Sequence, residues 1–418
     1  MPLSFFRKDF LNCQKPFLAS DGEIFSRSDL IRFATALSKS SHFKTPTPYL
    51  RISADNSVRQ IIAILAALIA EKSPVLGQNC HNLQAENADF FHFSQAEFVA
   101  LKSKAITSLL SKPSQDMHVL FYTSATTGPG TLVEKSWEGL WVEAEALSRL
   151  FHVREESVLN LVPCYHIYGL LFGVLLPWMS DSTVAFNLSA SKSTIVIAVP
   201  TLWNFLTLEL QKGRMDFPRL MFSSGSRLSH KAVEAFFAIS EKSGKSTITD
   251  VLGSTETGGI GWRSWTKNNV SDKNFKFFPG VEILKVDDNV YVKSPYITGK
   301  DGLCELADQL KMHTNDEFSY EGRKDRIFKY GGKRYALSEI EKNLSSLLKG
   351  HPVRCLFAED KTPKGGKICC EVEVSGLDIH ILRTQYVEKF LTPFPDKINF
   401  AAGEKSFYLH PKKLTNIK

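Results

Sequence analysis

The stretch Phe121-Tyr122-Thr123-Ser124-Ala125-Thr126-Thr127-Gly128-Pro129-Gly130 gathers five hydroxyl groups and two glycines. An apolar run of strand length, Val119–Tyr122, leads into it, and a helical pattern opens behind it at Ser136. A loop placed between strand and helix offers backbone N–H and side-chain O–H donors to an anion, and glycine lets the backbone come close. The occupant it suits is a nucleotide polyphosphate. No Gly-Lys-Ser/Thr ends the loop, so it is not of the Walker type. Alone, it reads equally well as an ordinary turn.

Four further stretches carry residues able to do chemistry. Pro163-Cys164-Tyr165-His166-Ile167-Tyr168-Gly169 and Gly253-Ser254-Thr255-Glu256-Thr257-Gly258-Gly259 each follow an apolar run. His313-Thr314-Asn315-Asp316 precedes Gly322-Arg323-Lys324-Asp325-Arg326. Gly332-Lys333-Arg334 and Ser338-Glu339-Ile340-Glu341 come next. Ser224-Gly225-Ser226 also follows an apolar run.

Positioning these residues requires a layered scaffold. Strands are expected at His118–Tyr122, Val158–Val162, Thr183–Phe186, Thr194–Val199, Leu220–Ser223 and Ser246–Leu252, alternating with helical patterns. The helix from Ser136 puts Leu140, Ala144, Leu147 and Leu150 on one face. Others are expected near Thr201 and Ser229, each with a hydroxyl cap. This rhythm predicts a large α/β domain with layered, mainly parallel sheets, in which ligands sit at the carboxyl ends of strands. Phe275–Ser294 reads as a hairpin about Asp287-Asp288-Asn289 and predicts a small β subdomain. A compact α+β pattern follows: strands at Arg326–Tyr330, Val353–Phe357 and Lys367–Val374, with helices from Ser338 and over Leu377–Leu391. The boundary is expected near Arg323–Arg326, dividing the chain into 1–322 and 323–418.

Bulk properties narrow the class. A hydrophobic fraction of 43% in 418 residues provides for a full globular core. The longest apolar run, Ile61–Ala70, is too short to span a bilayer and reads as a buried helix. Arg7, Lys8 and Asp9 interrupt the start, which shows no signal-peptide core, so a cytoplasmic protein is expected. The seven cysteines form no Cys-x-x-Cys pair, which favours buried reduced thiols over a metal site or disulfide framework; Cys369 and Cys370 should face opposite ways along a strand. Residues 322–418 hold 19 basic and 11 acidic side chains, against 32 and 33 in the rest, so the excess positive charge lies in the last quarter. That suits a solvated small domain or a docking face for an anionic partner.

In order and spacing, these stretches resemble the adenylate-forming superfamily: acyl-CoA synthetases, aryl-acid ligases and nonribosomal-peptide adenylation domains. The resemblance runs from about residue 115 to the C-terminus. Glu134-Lys135-Ser136-Trp137 and Trp262-Arg263-Ser264-Trp265 look most like the short synthetases encoded beside polyketide-like or aryl-polyene biosynthetic genes. The resemblance implies an AMP-binding core and a mobile C-terminal domain. The core would join a carboxylic acid to the α-phosphate of ATP with release of pyrophosphate. A thiol, on an acyl carrier protein or coenzyme A, would then displace AMP. ATP and Mg²⁺ are the implied cofactors, with no nucleic acid among the partners.

Residue roles follow from the resemblance. Ser124, Thr126, Thr127 and Gly128 would wrap the β- and γ-phosphates, although Ala125 stands where glycine is usual and Thr131 where lysine is common. Lys135, four residues on, is the nearest substitute cation. Glu256 would bind Mg²⁺, which prefers carboxylate oxygens and bridges phosphates, and Thr255 would contact the α-phosphate. A solvated or helix-capping Glu256 is the bland alternative. His166 would lie where acyl group and α-phosphate meet, with Gly169 making room, unless it merely packs. Ser224, Gly225 and Ser226 would line the adenine side. Asp316 would hold the ribose hydroxyls and Arg323 the ribose or a phosphate, a surface Asp/Arg pair being the alternative. Asn315, in place of glycine, is the non-glycine residue that best tolerates positive φ. Asp325 would be the hinge, and Gly332, Lys329 and Arg334 would belong to the thioester-forming face. Lys418 would be the adenylation lysine, with Lys412 and Lys413 in reserve, against the reading of a frayed basic tail. Two other functions stay open: a nucleotide-binding homologue without catalysis, and an enzyme that stops at the acyl-adenylate. The 30 Phe suit an apolar acid, and packing explains them as well.

Overall fold

The computed structural model describes residues 13–20, 22–77, 88–103, 117–123, 131–188, 193–226, 228, 230–239, 244–271, 274–286, 289–299, 301–306, 308–323, 327–330, 333–359, 366–372, 374 and 378–400. The side chains of Arg323, Lys329 and Arg334 lie outside this description. So do Ser124, Thr126, Thr127, Gly128, Ser229, Asp325, Gly332, Lys412, Lys413 and Lys418. The chain divides into two compact units: Met1–Lys273, Phe277–Lys285 and Tyr291–Cys304 form one, and Asn274–Lys276, Val286–Val290 and Glu305–Lys418 the other. Residues 305–322, expected with the large domain, group with the second unit.

The first unit is built on two sheets. Its strands are β1 (Pro16–Ser20), β2 (Glu23–Ser26), β3 (Tyr49–Ala54), β4 (Ser73–Leu76), β5 (Ala88–Phe93), β6 (His118–Thr123) and β7 (Thr131–Ser136). β8 (Ser157–Asn160), β9 (Thr183–Ala185), β10 (Ile195–Ala198), β11 (Leu220–Ser223), β12 (Thr247–Ser254) and β13 (Gly258–Trp265) follow. One sheet runs β13-β12-β11-β10-β8-β9-β1-β2, parallel from β12 to β1 and antiparallel at both ends. The other runs β5-β3-β4-β6-β7, parallel except for the final β6/β7 pair. These are the layered, mainly parallel sheets the alternating pattern predicts.

Apolar faces hold the layers together. Helices Trp203–Gln211 and His230–Ala238 cross between successive parallel strands. They bury Trp203, Leu206, Leu210, Val233 and Phe236 against Val196, Met221, Ile248 and Trp265. Each fully buried Leu or Phe contributes about 1.5–3 kcal/mol. The helix Ser57–Ile69 is buried from Val58 through Leu68, as the Ile61–Ala70 run predicts. Among the described residues no helix is long and apolar enough to cross a membrane.

Local differences have simple causes. The Ser/Thr/Gly loop joins two antiparallel strands rather than strand and helix: Thr131–Ser136 pairs with His118–Thr123 before the helix Trp137–Leu150 begins. Thr201 caps nothing; the tight turn Pro200–Leu202 precedes the helix, and proline favours such a start. Ser338 lies inside a helix that opens at Leu337, capped by Ala336 without a side-chain bond. Around the expected hairpin, Glu282–Val286, Asn289–Lys293 and Leu303–Glu305 form a three-stranded sheet.

The second unit carries the expected α+β pattern. The Ile327–Tyr330/Lys333–Ala336 hairpin, helices Leu337–Leu347 and Ile379–Lys389, and the sheet of Val353–Glu359, Gly366–Val372 and Lys397–Phe400 surround a core of Ile340, Leu344, Ile368, Val372 and Tyr386. Cys355 and Cys370 stand opposite each other in that sheet and are joined by a disulfide, with Cα atoms 4.1 Å apart. The expectation of reduced thiols fails here because antiparallel pairing brings together two cysteines separated by 15 residues.

Candidate active site

The parallel strands β8, β10, β11 and β12 all end on one edge of their sheet. Neighbouring strands lie about 4.8 Å apart, so the segments that follow them must cluster. Those segments are Pro163–Gly169 after β8, Ser224–Ser226 after β11 and Thr255–Thr257 after β12. His166, Gly169, Ser224, Gly225, Ser226, Thr255 and Glu256 are therefore brought to one edge.

The acidic stretch forms a hairpin tip. β12 and β13 pair from Ile248↔Trp265 to Ser254↔Gly258, leaving Thr255, Glu256 and Thr257 to turn. Reciprocal bonds lock the turn: Ser254 N donates to Thr257 Oγ1 and Thr257 N to Ser254 Oγ, both at 3.2 Å. Gly258 has φ +71°, which an L side chain adopts at a cost, and a Cβ on Gly253 would meet the Gly258 carbonyl at 2.5 Å. Glu256 thus projects from a rigid tip as an exposed side chain and caps no helix. No three His, Cys, Asp or Glu among the described residues cluster to cage a metal. One exposed carboxylate beside Thr255 is a donor set that fits an Mg²⁺ carried by nucleotide phosphates.

His166 begins the helical segment 167–179 and donates its backbone N–H to Pro163 O at 3.1 Å. Its imidazole reaches solvent, yet the surrounding protein disfavours the charged form and lowers its pKa. A Cβ on Gly169 would lie 2.2 Å from Pro163 O, so glycine is required for the loop to fold onto the helix. Buried Asn160, at the end of β8, accepts from Val162 N at 3.0 Å and donates to Gly169 O at 3.2 Å. Residues 171–175 form a π-helical turn. Pro177 lacks the N–H that the Gly173 carbonyl would receive in a regular helix. Tyr168 anchors the segment to the edge by donating to Ala198 O at 3.2 Å. Ser224 donates to Val251 O at 2.8 Å, tying its loop to β12, and Gly225 adopts φ +88°.

Lys135 does not stand in for the missing loop cation. It is 1% exposed, and its ammonium donates to Tyr296 O at 2.8 Å and Glu256 O at 3.2 Å. Burial lowers its pKa, opposed by the Glu143 carboxylate. Glu143, on the helix Trp137–Leu150, is buried and accepts from Gly259 N at 2.6 Å. Burial raises its pKa to about 7, against the pull of Lys135 and the Gly259 bond. Sequence reading missed Glu143 and Asn160. The available signal for Glu143 was an acid set among Leu140, Ala144 and Leu147 on an apolar stripe.

In the second unit, Asp316 ends the turn between Asp308–Met312 and Glu317–Arg323. Thr314 Oγ1 accepts from Asp316 N at 3.2 Å and Glu317 N at 3.0 Å, and the Asp316 side chain is exposed. Asn315 is not among the residues with positive φ, so its expected backbone role is absent. Gly322 has φ +118°, and a Cβ there would meet Ser338 Oγ at 2.6 Å. Two of the sequence stretches therefore touch. Glu341, in the helix Leu337–Leu347, accepts from Cys355 N through its Oε1 at 2.7 Å.

The fold is one that solved structures share. The structure is similar to ATP-bound MatB from Rhodopseudomonas palustris (TM-score 0.75, 16% identity, 96% of this chain and 95% of that one). It is also similar to a benzoate CoA ligase from Burkholderia xenovorans LB400 (TM-score 0.73, 17% identity, 95% of each chain). At such identities the likeness is one of fold. The chain belongs to the family of AMP-binding enzymes, which it matches over residues 66–302. A 4-coumarate–CoA ligase of Rhodobacter capsulatus is 28% identical over 252 residues, 57% of this chain and 60% of that enzyme. That of Halorhodospira halophila is 26% identical over 256 residues. The chain spans about 60% of the length of these curated relatives.

Proposed function

We propose that this protein activates a carboxylic acid as an acyl- or aryl-adenylate and transfers the acyl group to a thiol. The observation that carries the reading is the shared sheet edge. It holds an exposed carboxylate on a locked hairpin tip (Glu256), an uncharged-leaning imidazole (His166) and a glycine-containing hydroxyl loop (Ser224–Ser226). The substrate carboxylate oxygen attacks the α-phosphorus of ATP, and the bond to the bridging oxygen breaks with release of pyrophosphate. A thiolate then attacks the acyl carbon, and AMP leaves. Bringing two anions together requires positioning and fixed charge.

In this reading Glu256 meets the Mg²⁺ on the nucleotide and Thr255 the α-phosphate. His166 stands between acyl group and phosphate. Ser124, Thr126, Thr127 and Gly128 cradle the outer phosphates, and Ser224, Gly225 and Ser226 face adenine. Asp316 and Arg323 hold the ribose. Residues 323–418 act as a mobile domain turning at Asp325, with Arg334 on the thioester-forming face and Lys418 active in adenylation. The basic excess of this segment suits coenzyme A or an acidic carrier protein as acceptor.

Pyrophosphate release screened against aromatic, short and medium-chain acids tests the reading, with coenzyme A and a phosphopantetheinylated carrier as acceptors. Glu256→Gln should raise the Mg²⁺ concentration for half-maximal rate about tenfold (about 1.4 kcal/mol); unchanged metal dependence removes Glu256 from the site. A second reading, a homologue that binds nucleotide without catalysis, draws on one observation. The loop lacks its lysine, and Lys135 is engaged elsewhere. Nucleotide binding without pyrophosphate exchange for any acid would favour it.

A further inference from the structure

Two buried charged side chains converge on the hairpin tip from distant sequence. Lys135, on the strand that leaves the hydroxyl loop, reaches the carbonyl of Glu256 across 121 residues. Glu143, two turns into the next helix, takes the Gly259 N–H across 116 residues. A Cβ on Gly258 or Gly259 would lie 2.9 or 3.0 Å from the Glu143 carboxylate oxygens, so both glycines admit that group. Lys135 also holds Tyr296 O, whose residue is fixed by Ser294 Oγ at 3.1 Å and by its own donation to Pro279 O at 2.6 Å.

Stability is a poor explanation for this pair. Burying a lysine and a glutamate costs several kcal/mol per ion, and well-packed apolar residues commonly do as well or better. Both groups are buried, so neither offers its charge to solvent. What they do share is the turn: one grips the carbonyl that follows Glu256 Cα, the other the amide three residues on.

We propose that Lys135 and Glu143 are positioning residues that clamp the Glu256–Gly259 segment, so that the Glu256 carboxylate is presented to the metal carried by the nucleotide. Because Lys135 lies on β7, the clamp also ties the β6/β7 pair to the hairpin tip. This inference rests on the proposed adenylation function.

The test is calorimetric binding of a non-hydrolysable ATP analogue with and without Mg²⁺, on the full chain. Lys135→Met combined with Glu143→Gln leaves no uncompensated buried charge. It should lose about tenfold of the Mg²⁺-dependent gain in affinity, while metal-free binding stays within about twofold. Glu143→Gln alone keeps the acceptor for Gly259 and should retain the gain within about twofold. Glu143→Asp keeps the charge but shortens the side chain, and should lose about threefold or more even where the double variant fails to fold. A folded double variant, or a folded Glu143→Asp, that keeps the full Mg²⁺-dependent gain overturns the positioning role alone. A wild-type protein that binds the analogue no better with Mg²⁺ overturns both this inference and the function on which it rests.

Discussion

The ammonium of Lys135 lies 3.2 Å from the carbonyl oxygen of Glu256, a residue 121 positions later in the chain. This single bond links the strand that follows the hydroxyl loop to the hairpin tip bearing the exposed carboxylate. It also removes Lys135 from the role of a loop cation.

Glu143 makes stability depend on pH in a definite direction. Its native pKa of about 7 exceeds its ordinary value of 4.5. Between these values the folded state keeps a proton that the unfolded chain has lost, so stability falls as pH rises and the whole cost is present above about 7. The cost is on the order of 3 kcal/mol at most. Glu143→Gln should flatten this slope in urea titrations from pH 4.5 to 7.5; an unchanged slope would assign it to other groups.

Gly169→Ala should lower unfolding free energy by about 3 kcal/mol, the upper range for overpacking, because the new methyl meets backbone rather than a movable side chain. Denaturant unfolding reports it directly. A change below about 0.5 kcal/mol would mean that the Pro163–His166 loop yields easily.

Lys418→Ala should reduce pyrophosphate release about 100-fold, the usual loss on removing one transition-state donor. Thioester formation from supplied acyl-adenylate should persist. Equal loss of both half-reactions speaks against an adenylation role for this lysine.

Cys370→Ser opens the cross-link to Cys355 and should cost about 3 kcal/mol for a loop of 15 residues. Thiol titration of the unfolded wild-type protein should show two more thiols after reduction. Equal counts before and after would show that both are free.

The sequence alone determined the alternation of helices and strands from Trp137 to Ser254, the buried helix at Val58–Leu68 and the family of the chain. Each is a local pattern: period, capping residue, or a run of residue types in order. Ser136 illustrates it, capping its helix by accepting from Gly139 N at 3.0 Å. The same reading passed over β3, β4 and β5, because short parallel strands such as Ser73–Leu76 are too brief to display a period. It also left Lys135 without its partners and Cys355 without Cys370. Only the tertiary structure decided these, since a bond between residues 121 or 15 positions apart depends on which strands become neighbours and in what register. That choice is made by the burial of whole faces, and no single residue announces it.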